Sequence, residues 1–283
     1  RNPVKTAMVA TERLSEVIDH LRQAVGQARQ AYWVCPLVEE SEVLDYTSAE
    51  ERFKSLRAAL GEDVVEELGA ENAILYIEDL RTKGCVDHLV ELALRNFGKL
   101  DAVVNNAAMV ISGDIHSTDE TLLSKILSVN SVAPFLLIQA ALPHLREQHG
   151  CVLNIGSVNA WSGEPNLLPY SMSKGALMTM TRNLGDSLMR EDGVRVNQIN
   201  PGWVLTENEA QRKRDHGLSD DWYTHLPKAY APAGRILRSE EIAAAAVYWL
   251  ADESGPVSGQ VVDLEQHPFI GRNPPKDTST IPP

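Results

Sequence analysis

At 283 residues, 43% hydrophobic and 23% charged, the chain has a globular composition and is long enough to bury the core of one large α/β domain. Its net charge of -13 is spread along the sequence, and such a field repels nucleic acid and disfavours DNA or RNA as a partner. No apolar run reaches the roughly 18 residues of a membrane span and no basic stretch leads into a short apolar core, so a soluble cytoplasmic protein without a secretory leader is expected. The first residue, Arg1, suggests a trimmed reading frame. Cys35, Cys85 and Cys151 have neither metal-site nor redox-pair spacing and read as buried thiols, with no metal expected.

In chain order, short apolar runs alternate with helical patterns, which is the signature of βα units wound around a parallel sheet. Strands are predicted near 4–10 (VKTAMVA), 31–38 (AYWVCPLV), 73–77 (AILYI), 100–105 (LDAVVN), 151–156 (CVLNIG), 194–200 (VRVNQIN) and 260–264 (QVVDL). Helices fit between them at 12–28, 48–60, 84–97, 119–147, 170–190 and 239–252, with shorter turns inside 207–230. The 119–147 helix is expected to break or shift near Pro134 and Pro143. Thr47 with Glu50, and Ser117 with Glu120, have capping-box spacing, and Ser239 before Glu240 and Glu241 reads as a cap with favourable charge at a helix start. The proline-rich, polar residues 272–283 read as an unpacked tail.

Chemistry concentrates in Tyr170-Ser171-Met172-Ser173-Lys174, with Ser157 thirteen residues before Tyr170. Tyr170 and Lys174 are four apart and so share one face of a helix. A phenol near pKa 10 is a poor acid or base at neutral pH, and an adjacent ammonium can lower it by stabilising the phenolate. Ser157 falls at the carboxyl end of a predicted strand, where open α/β sheets bind ligands, and its hydroxyl can hold a carbonyl or alkoxide oxygen. A Tyr–Lys pair alone is also an ordinary aromatic–aliphatic contact on an exposed helix.

Four further segments occur with the pair in a fixed order: VVNNAA at 103–108, VNSVAPF at 129–135, LNIGS at 153–157 and NPGWVLT at 200–206. Together, from about residue 62 to about 265, they resemble the short-chain dehydrogenase/reductase family. The resemblance implies a doubly wound, Rossmann-like α/β sheet of about seven strands. It also implies reversible hydride transfer between NAD or NADP and an alcohol or carbonyl. By that resemblance Tyr170 is the general acid/base, Lys174 lowers its pKa and binds the nicotinamide ribose, and Ser157 orients the reacting oxygen. Asn130 holds a water in a proton relay; the alternative is a helix-interior Asn bonded to nearby backbone. Asn105 steadies the sheet beside the cofactor and Ala107 and Ala108 line that wall, Ala108 standing where the family more often has glycine. Asp79 matches the residue that bonds adenine, or else is an ordinary strand-end Asp. Pro201, Gly202, Val204 and Thr206 match the segment passing over the nicotinamide. VSGQVVDL at 257–264 resembles the closing strand, although Glu265-Gln266-His267 stands where the family has Asp-Gly-Gly. The 207–230 segment, with Trp203 before it and Trp222 within it, is expected to cover the substrate. Helices 119–147 and 170–190 correspond to those that pack between family subunits, which implies a homodimer or homotetramer.

One element of that family is missing. Its first strand leads into a loop with three glycines that let the backbone approach the cofactor's pyrophosphate, whereas VATERLSEVIDHL at 9–21 contains none, and Gly26 is the single glycine of the first sixty residues. Glu12 and Glu16 add negative charge where phosphate should be welcomed; Arg13 does not restore the space. Residues 3–60, above all YWVCPLVEESE, resemble instead the start of the second motor domain of the RecG-type bacterial DNA helicase. No phosphate-binding G-x-x-x-x-G-K-[ST] loop is present, which excludes a working helicase. The expected organisation is an atypical βαβ segment over 1–61, the dehydrogenase-like remainder over 62–271 and the tail. A cofactor-deficient, non-enzymatic oligomeric or binding module is the alternative reading.

Overall fold

A computed structural model describes residues 73–268 apart from 75, 77, 207, 208, 211, 212, 215, 216, 220 and 225. The expected strands 4–10 and 31–38, helices 12–28 and 48–60, the Thr47–Glu50 cap, Cys35, the glycine-free 9–21 segment, the helicase-like stretch 3–60 and the tail lie outside the described residues, as do the 1–61 and 272–283 boundaries.

Six strands and five α-helices are described: α1 (Cys85–Phe97), β1 (Ala102–Asn105), α2 (Glu120–Leu127), α3 (Ala133–Gln148), β2 (Cys151–Ile155), α4 (Leu168–Asp192), β3 (Arg195–Pro201), β4 (Val204–Leu205), β5 (Leu237–Arg238), α5 (Ser239–Leu250) and β6 (Val261–Leu264). The main sheet has the order β1-β2-β3-β6 with every pair parallel, for example Asn105 opposite Asn154 and Asn154 opposite Gln198. β4 and β5 form a separate parallel pair beyond the end of β3.

The fold is doubly wound because successive strand residues face opposite sides and both sides are covered. Val103, Val152 and Val196 pack with Val86 and Val90 of α1, Leu137, Ala141 and Leu145 of α3 and Leu188 of α4. Their neighbours face α5: Cys151 Sγ lies 3.6 Å from Leu250 O, and Arg195 donates to Trp249 O at 3.2 Å and Ala251 O at 3.2 Å. Cys85 and Cys151 are free, buried thiols, as expected.

A second layer of order lies on the α4 face. Asn105 Nδ2 donates to Asn154 Oδ1 and Asn154 Nδ2 to Thr181 Oγ1, each at 2.8 Å. The Thr181 hydroxyl, 2.8 Å from Gln198 Oε1 and 2.9 Å from Leu177 O, passes the chain on to β3. These buried amides are thereby paired across three strands and one helix.

Several expectations shift. Residues 73, 74 and 76 form no ladder with a described strand, so the predicted 73–77 strand is not seen among the described residues. The cap of α2 is Asp119, whose carboxylate accepts from Leu122 N at 2.8 Å, while Ser117 closes a turn on Asp114. At α5 the cap moves back one residue: Glu241 accepts from Arg238 N at 2.8 Å, and Ser239 is already helical. The break in the 119–147 helix is a π-helical turn, Ser128–Val132, immediately before Pro134. Proline brings no N–H to the carbonyl four residues back and its ring crowds that carbonyl, so the backbone widens there. Pro143 lies inside α3 with no such break.

The composite run Glu120–Gln148 is long and apolar enough to cross a membrane by length and composition, contrary to the expectation from the sequence. Its apolarity has a local cause, since Ile126, Val129, Ala133, Leu137, Ile138, Ala141 and Leu145 face the core. Val132, Phe135 and Leu136 remain exposed on it.

Close approach sets which glycines of α4 are indispensable. A Cβ on Gly185 would lie 2.3 Å from the Gly259 backbone, whereas on Gly175 its nearest neighbour is Ala160 O at 3.4 Å. Gly185→Ala is expected to cost about 1–3 kcal/mol by forcing α4 off the 257–260 turn. Gly175→Ala should leave stability unchanged or raise it by up to about 1 kcal/mol, because alanine is the better helix former. Denaturant midpoints at constant slope check both; equal effects of the two substitutions would refute the packing argument.

Candidate active site

The site forms where the carboxyl ends of the strands meet the first turns of α4. Tyr170 and Lys174 stand on one face of this helix, with Lys174 Nζ 5.8 Å from the centre of the phenol ring. Lys174 is 2% exposed and donates to the carbonyl of Ile155, the last residue of β2, at 2.8 Å. Two residues on, extended Ser157 caps a 3-10 turn, Val158–Ala160, its Oγ accepting from Asn159 N at 3.1 Å. The Ser157 hydroxyl also lies near enough to the Tyr170 phenol to favour its anion. Ser157, Tyr170 and Lys174, chosen from the sequence, therefore converge.

Electrostatics at this junction differ from the expectation in one respect. Burial holds the Tyr170 phenol above its ordinary pKa; the Ser157 hydrogen bond pulls the other way, and the charge of Glu164 adds to the rise. The expected lowering by Lys174 is not what the chain by itself produces. The dominant cause is burial, and the Lys174 ammonium is engaged by the Ile155 carbonyl. Burial in turn lowers the Lys174 pKa to about 8. As arranged, the phenol is held protonated beside a hydroxyl that would stabilise its anion.

Asn130 lies within the π-helical turn and is fully buried. Its Oδ1 accepts from Met109 N at 2.7 Å, and its two amide N–H groups go to Met109 O and Ser173 Oγ, both at 2.9 Å. Ser173 Oγ lies 2.6 Å from Tyr170 O, and Ser131 Oγ donates to Ser173 O at 2.9 Å. Asn130 thus ties the segment after β1 to the first turn of α4. Both side-chain donors are thereby engaged. It is not a helix-interior Asn satisfied locally, since its backbone partner is 21 positions away.

The other expected residues divide. Asn105 is at the end of β1, tied to Asn154, with half-buried Ala107 and Ala108 following it. Pro201 ends β3, Gly202 N donates to Leu264 O at 2.9 Å, and Val204 lies in β4. Thr206 is exposed, its Oγ1 accepting from Glu209 N at 3.1 Å. Asp79 precedes α1, and its carboxylate takes the Arg81 backbone N–H at 2.8 Å and the Arg81 guanidinium. Trp203 and Trp222 stack at 5.3 Å between ring centres, with Lys213 Nζ 5.3 Å above the Trp203 ring, which gives the segment after β4 an aromatic anchor.

Sequence reasoning missed Ser173, Met109 and Glu164 around the tyrosine and Asn200, Asp263 and Trp161 around the serine. Ser173 carries a signal in hindsight, as it lies three residues after Tyr170 on the same helix. Glu164 and Trp161 are sequence neighbours of Tyr170 and Ser157, whereas Met109, Asn200 and Asp263 are brought in from distant segments.

Comparison with known proteins agrees with this geometry. Residues 49–265 match the family model described as enoyl-(acyl carrier protein) reductase. A 3-beta-hydroxysteroid dehydrogenase of Comamonas testosteroni is 28% identical over 208 residues, covering 73% of this chain and 81% of its own. An inactive 2-(S)-hydroxypropyl-CoM dehydrogenase 2 of Xanthobacter autotrophicus is 30% identical over 174 residues, 61% of this chain and 75% of its own. The crystal structure of Cj0485 dehydrogenase superposes with a TM-score of 0.67 at 26% identity, covering 72% of this chain and 78% of that one. The family match begins at residue 49 instead of 62 and takes in the end of the stretch that resembles a helicase, so the comparisons support the dehydrogenase part of the reading alone. A Rossmann-like parallel sheet, the serine–tyrosine–lysine junction at its carboxyl edge and this match over most of the chain place the protein in the short-chain dehydrogenase/reductase family.

Proposed function

We propose that the chain catalyses reversible hydride transfer between NAD or NADP and an alcohol or carbonyl substrate. The single observation that carries this is the convergence of Ser157 at the end of β2 with Tyr170 and the buried Lys174 ammonium on one face of α4. Ser157 donates to the reacting oxygen. Tyr170 gives its proton to that oxygen in the reducing direction and takes one back in the oxidising direction. Hydrogen bonds from Asn130 hold the first turn of α4 in register with the segment after β1.

The described residues fit the nicotinamide half of such a cofactor. An ammonium has three N–H donors, and among the described residues Ile155 O takes one from Lys174, so two can meet the ribose hydroxyls. Asn105, Ala107, Pro201, Gly202, Val204 and Thr206 would border the ring and its carboxamide. When bound, the nicotinamide supplies or accepts the hydride. Asp79, whose exposed carboxylate pairs with Arg81, is the residue proposed to bond adenine. The pyrophosphate half has no such support, because 9–21 lacks glycine. That absence favours the second reading, a cofactor-deficient oligomeric module, and the family contains a relative described as inactive. Residues 1–61 are read as an atypical first βαβ unit.

Titration with NADH and NADPH separates the readings. Saturable binding in the micromolar range is expected, with Tyr170→Phe retaining binding and losing turnover by about 10²–10⁴-fold; no binding up to millimolar would establish the cofactor-deficient reading. Binding that appears only after replacing 1–61 by a glycine-bearing unit would locate the defect there.

Lys174 makes stability depend on pH. Its folded pKa of about 8 lies below the ordinary value of 10.5, so between them the unfolded chain binds more protons and stability rises with pH. Relative to Lys174→Met, the wild type should gain about 3 kcal/mol between pH 8 and the ordinary lysine pKa. Parallel stability curves for the two proteins would show that the ammonium is not buried in solution.

A homodimer or homotetramer is proposed through the Val132–Phe135–Leu136 face of the composite helix and exposed Met172 of α4. Light scattering is expected to show dimer or larger, with Phe135→Glu shifting it toward monomer; a monomeric wild type would exclude this assembly.

A further inference from the structure

Ser157 is held by more than the strand it follows. Its backbone N–H donates to Asn200 Oδ1 at 3.1 Å, and the same oxygen accepts from Gln198 Nε2 at 2.7 Å. Asn200 Nδ2 donates to Asp263 Oδ1 at 3.0 Å, and the Asp263 carboxylate takes the Trp161 indole N–H with both oxygens at 3.0 Å. Trp161 closes the turn that Ser157 opens, and its ring carries the Arg182 guanidinium of α4 at 5.1 Å. The hydrogen bonds therefore make a ring that leaves the 157–161 loop, crosses β3 and β6, and returns to the same loop.

Chemistry gives this ring a direction. An amide side chain has a donor end and an acceptor end, and Asn200 must present oxygen to both the Ser157 N–H and the Gln198 amide. A carboxylate only accepts, so Asp263 forces the Asn200 NH₂ toward itself and the oxygen toward Ser157. Its charge also strengthens both bonds it receives. Without Asp263 a flipped Asn200 would set donor against donor at Ser157. Gly156 is what allows the amide to lie there, since a Cβ at that position would come within 2.1 Å of Asn200 Oδ1.

We infer that Asp263, through Asn200 and Trp161, is a positioning residue that fixes Ser157 against Tyr170. The inference rests on the reading of Ser157 as the group that holds the reacting oxygen.

Hydrogen–deuterium exchange resolved to the Ser157 and Asn159 amides tests the brace, read beside turnover, in Asp263→Ala, Asp263→Asn and Trp161→Phe. In Asp263→Ala both amides should exchange about tenfold faster, equivalent to about 1.4 kcal/mol of local opening, while Val152 and Leu153 of β2 stay protected. kcat should fall with KM for the cofactor unchanged. Asp263→Asn should restore most of the protection, because one amide oxygen can accept from both partners. Trp161→Phe keeps the ring over Arg182 but removes the N–H, and should also loosen the loop; if Asp263→Ala does not fold, this variant decides. Unchanged exchange at Ser157, or equal acceleration along β2, overturns the proposal. Should the wild type show no turnover with any alcohol or carbonyl, the exchange data still decide the brace, and only the proposed activity falls.

Discussion

The structure depends on the requirement that the polar side chains buried between the sheet and α4 be paired. A buried donor or acceptor left without a partner costs about 1–3 kcal/mol, and Asn154, Gln198 and Asn200 are fully buried on adjacent strands. Asn154 and Gln198 are satisfied only when Thr181 is opposite both, and Asn200 by Ser157, Gln198 and Asp263. The Thr181 pairing sets the position of α4 along its axis, because a slide of one residue would swing the hydroxyl by about 100° around the helix. Tyr170 and Lys174, three and two turns earlier on the same helix, are thereby delivered to the carboxyl ends of β2 and β3.

Burial that stabilises the frame sets the chemistry of the site. The same enclosure raises the phenol and lowers the ammonium, so two groups of nearly equal ordinary proton affinity are driven apart, each toward its neutral form. A buried ammonium with one carbonyl partner among the described residues is costly, since desolvation is repaid only by good hydrogen bonding. Such a group marks a functional site more readily than a structural one.

The π-helical turn joins the fold to the site in a second way. Pro134 disturbs the helix, and the widened turn buries Asn130 and binds it to Met109 and Ser173. A backbone irregularity that carries a buried, fully bonded amide is a positional device, and its energetic cost is offset by the three hydrogen bonds it permits. Beyond it, core-facing residues together with the exposed Phe135 and Leu136 of α3 make the composite helix apolar enough to resemble a membrane span.

Most of the described architecture was legible in the sequence, because hydrophobic period and length alone separate the buried strands at 100–105, 151–156, 194–200 and 260–264 from the helices between them. Caps were misplaced by one or two residues at Asp119 and Arg238, where neighbouring polar residues compete for the same amides. Tyr170 and Lys174 were legible because four positions on one helix is a local relation, and Ser157 because it ends a strand. By itself the sequence determined which residues carry reactive groups and which lie within a turn of one another. Only the tertiary structure decided that Asp79 belongs to Arg81, that Asn130 spends both donors on Met109 and Ser173, and that Asp263 reaches Ser157 through Asn200. Each of those pairings rests on the orientation of a side chain in three dimensions, and periodicity along a chain holds no record of that.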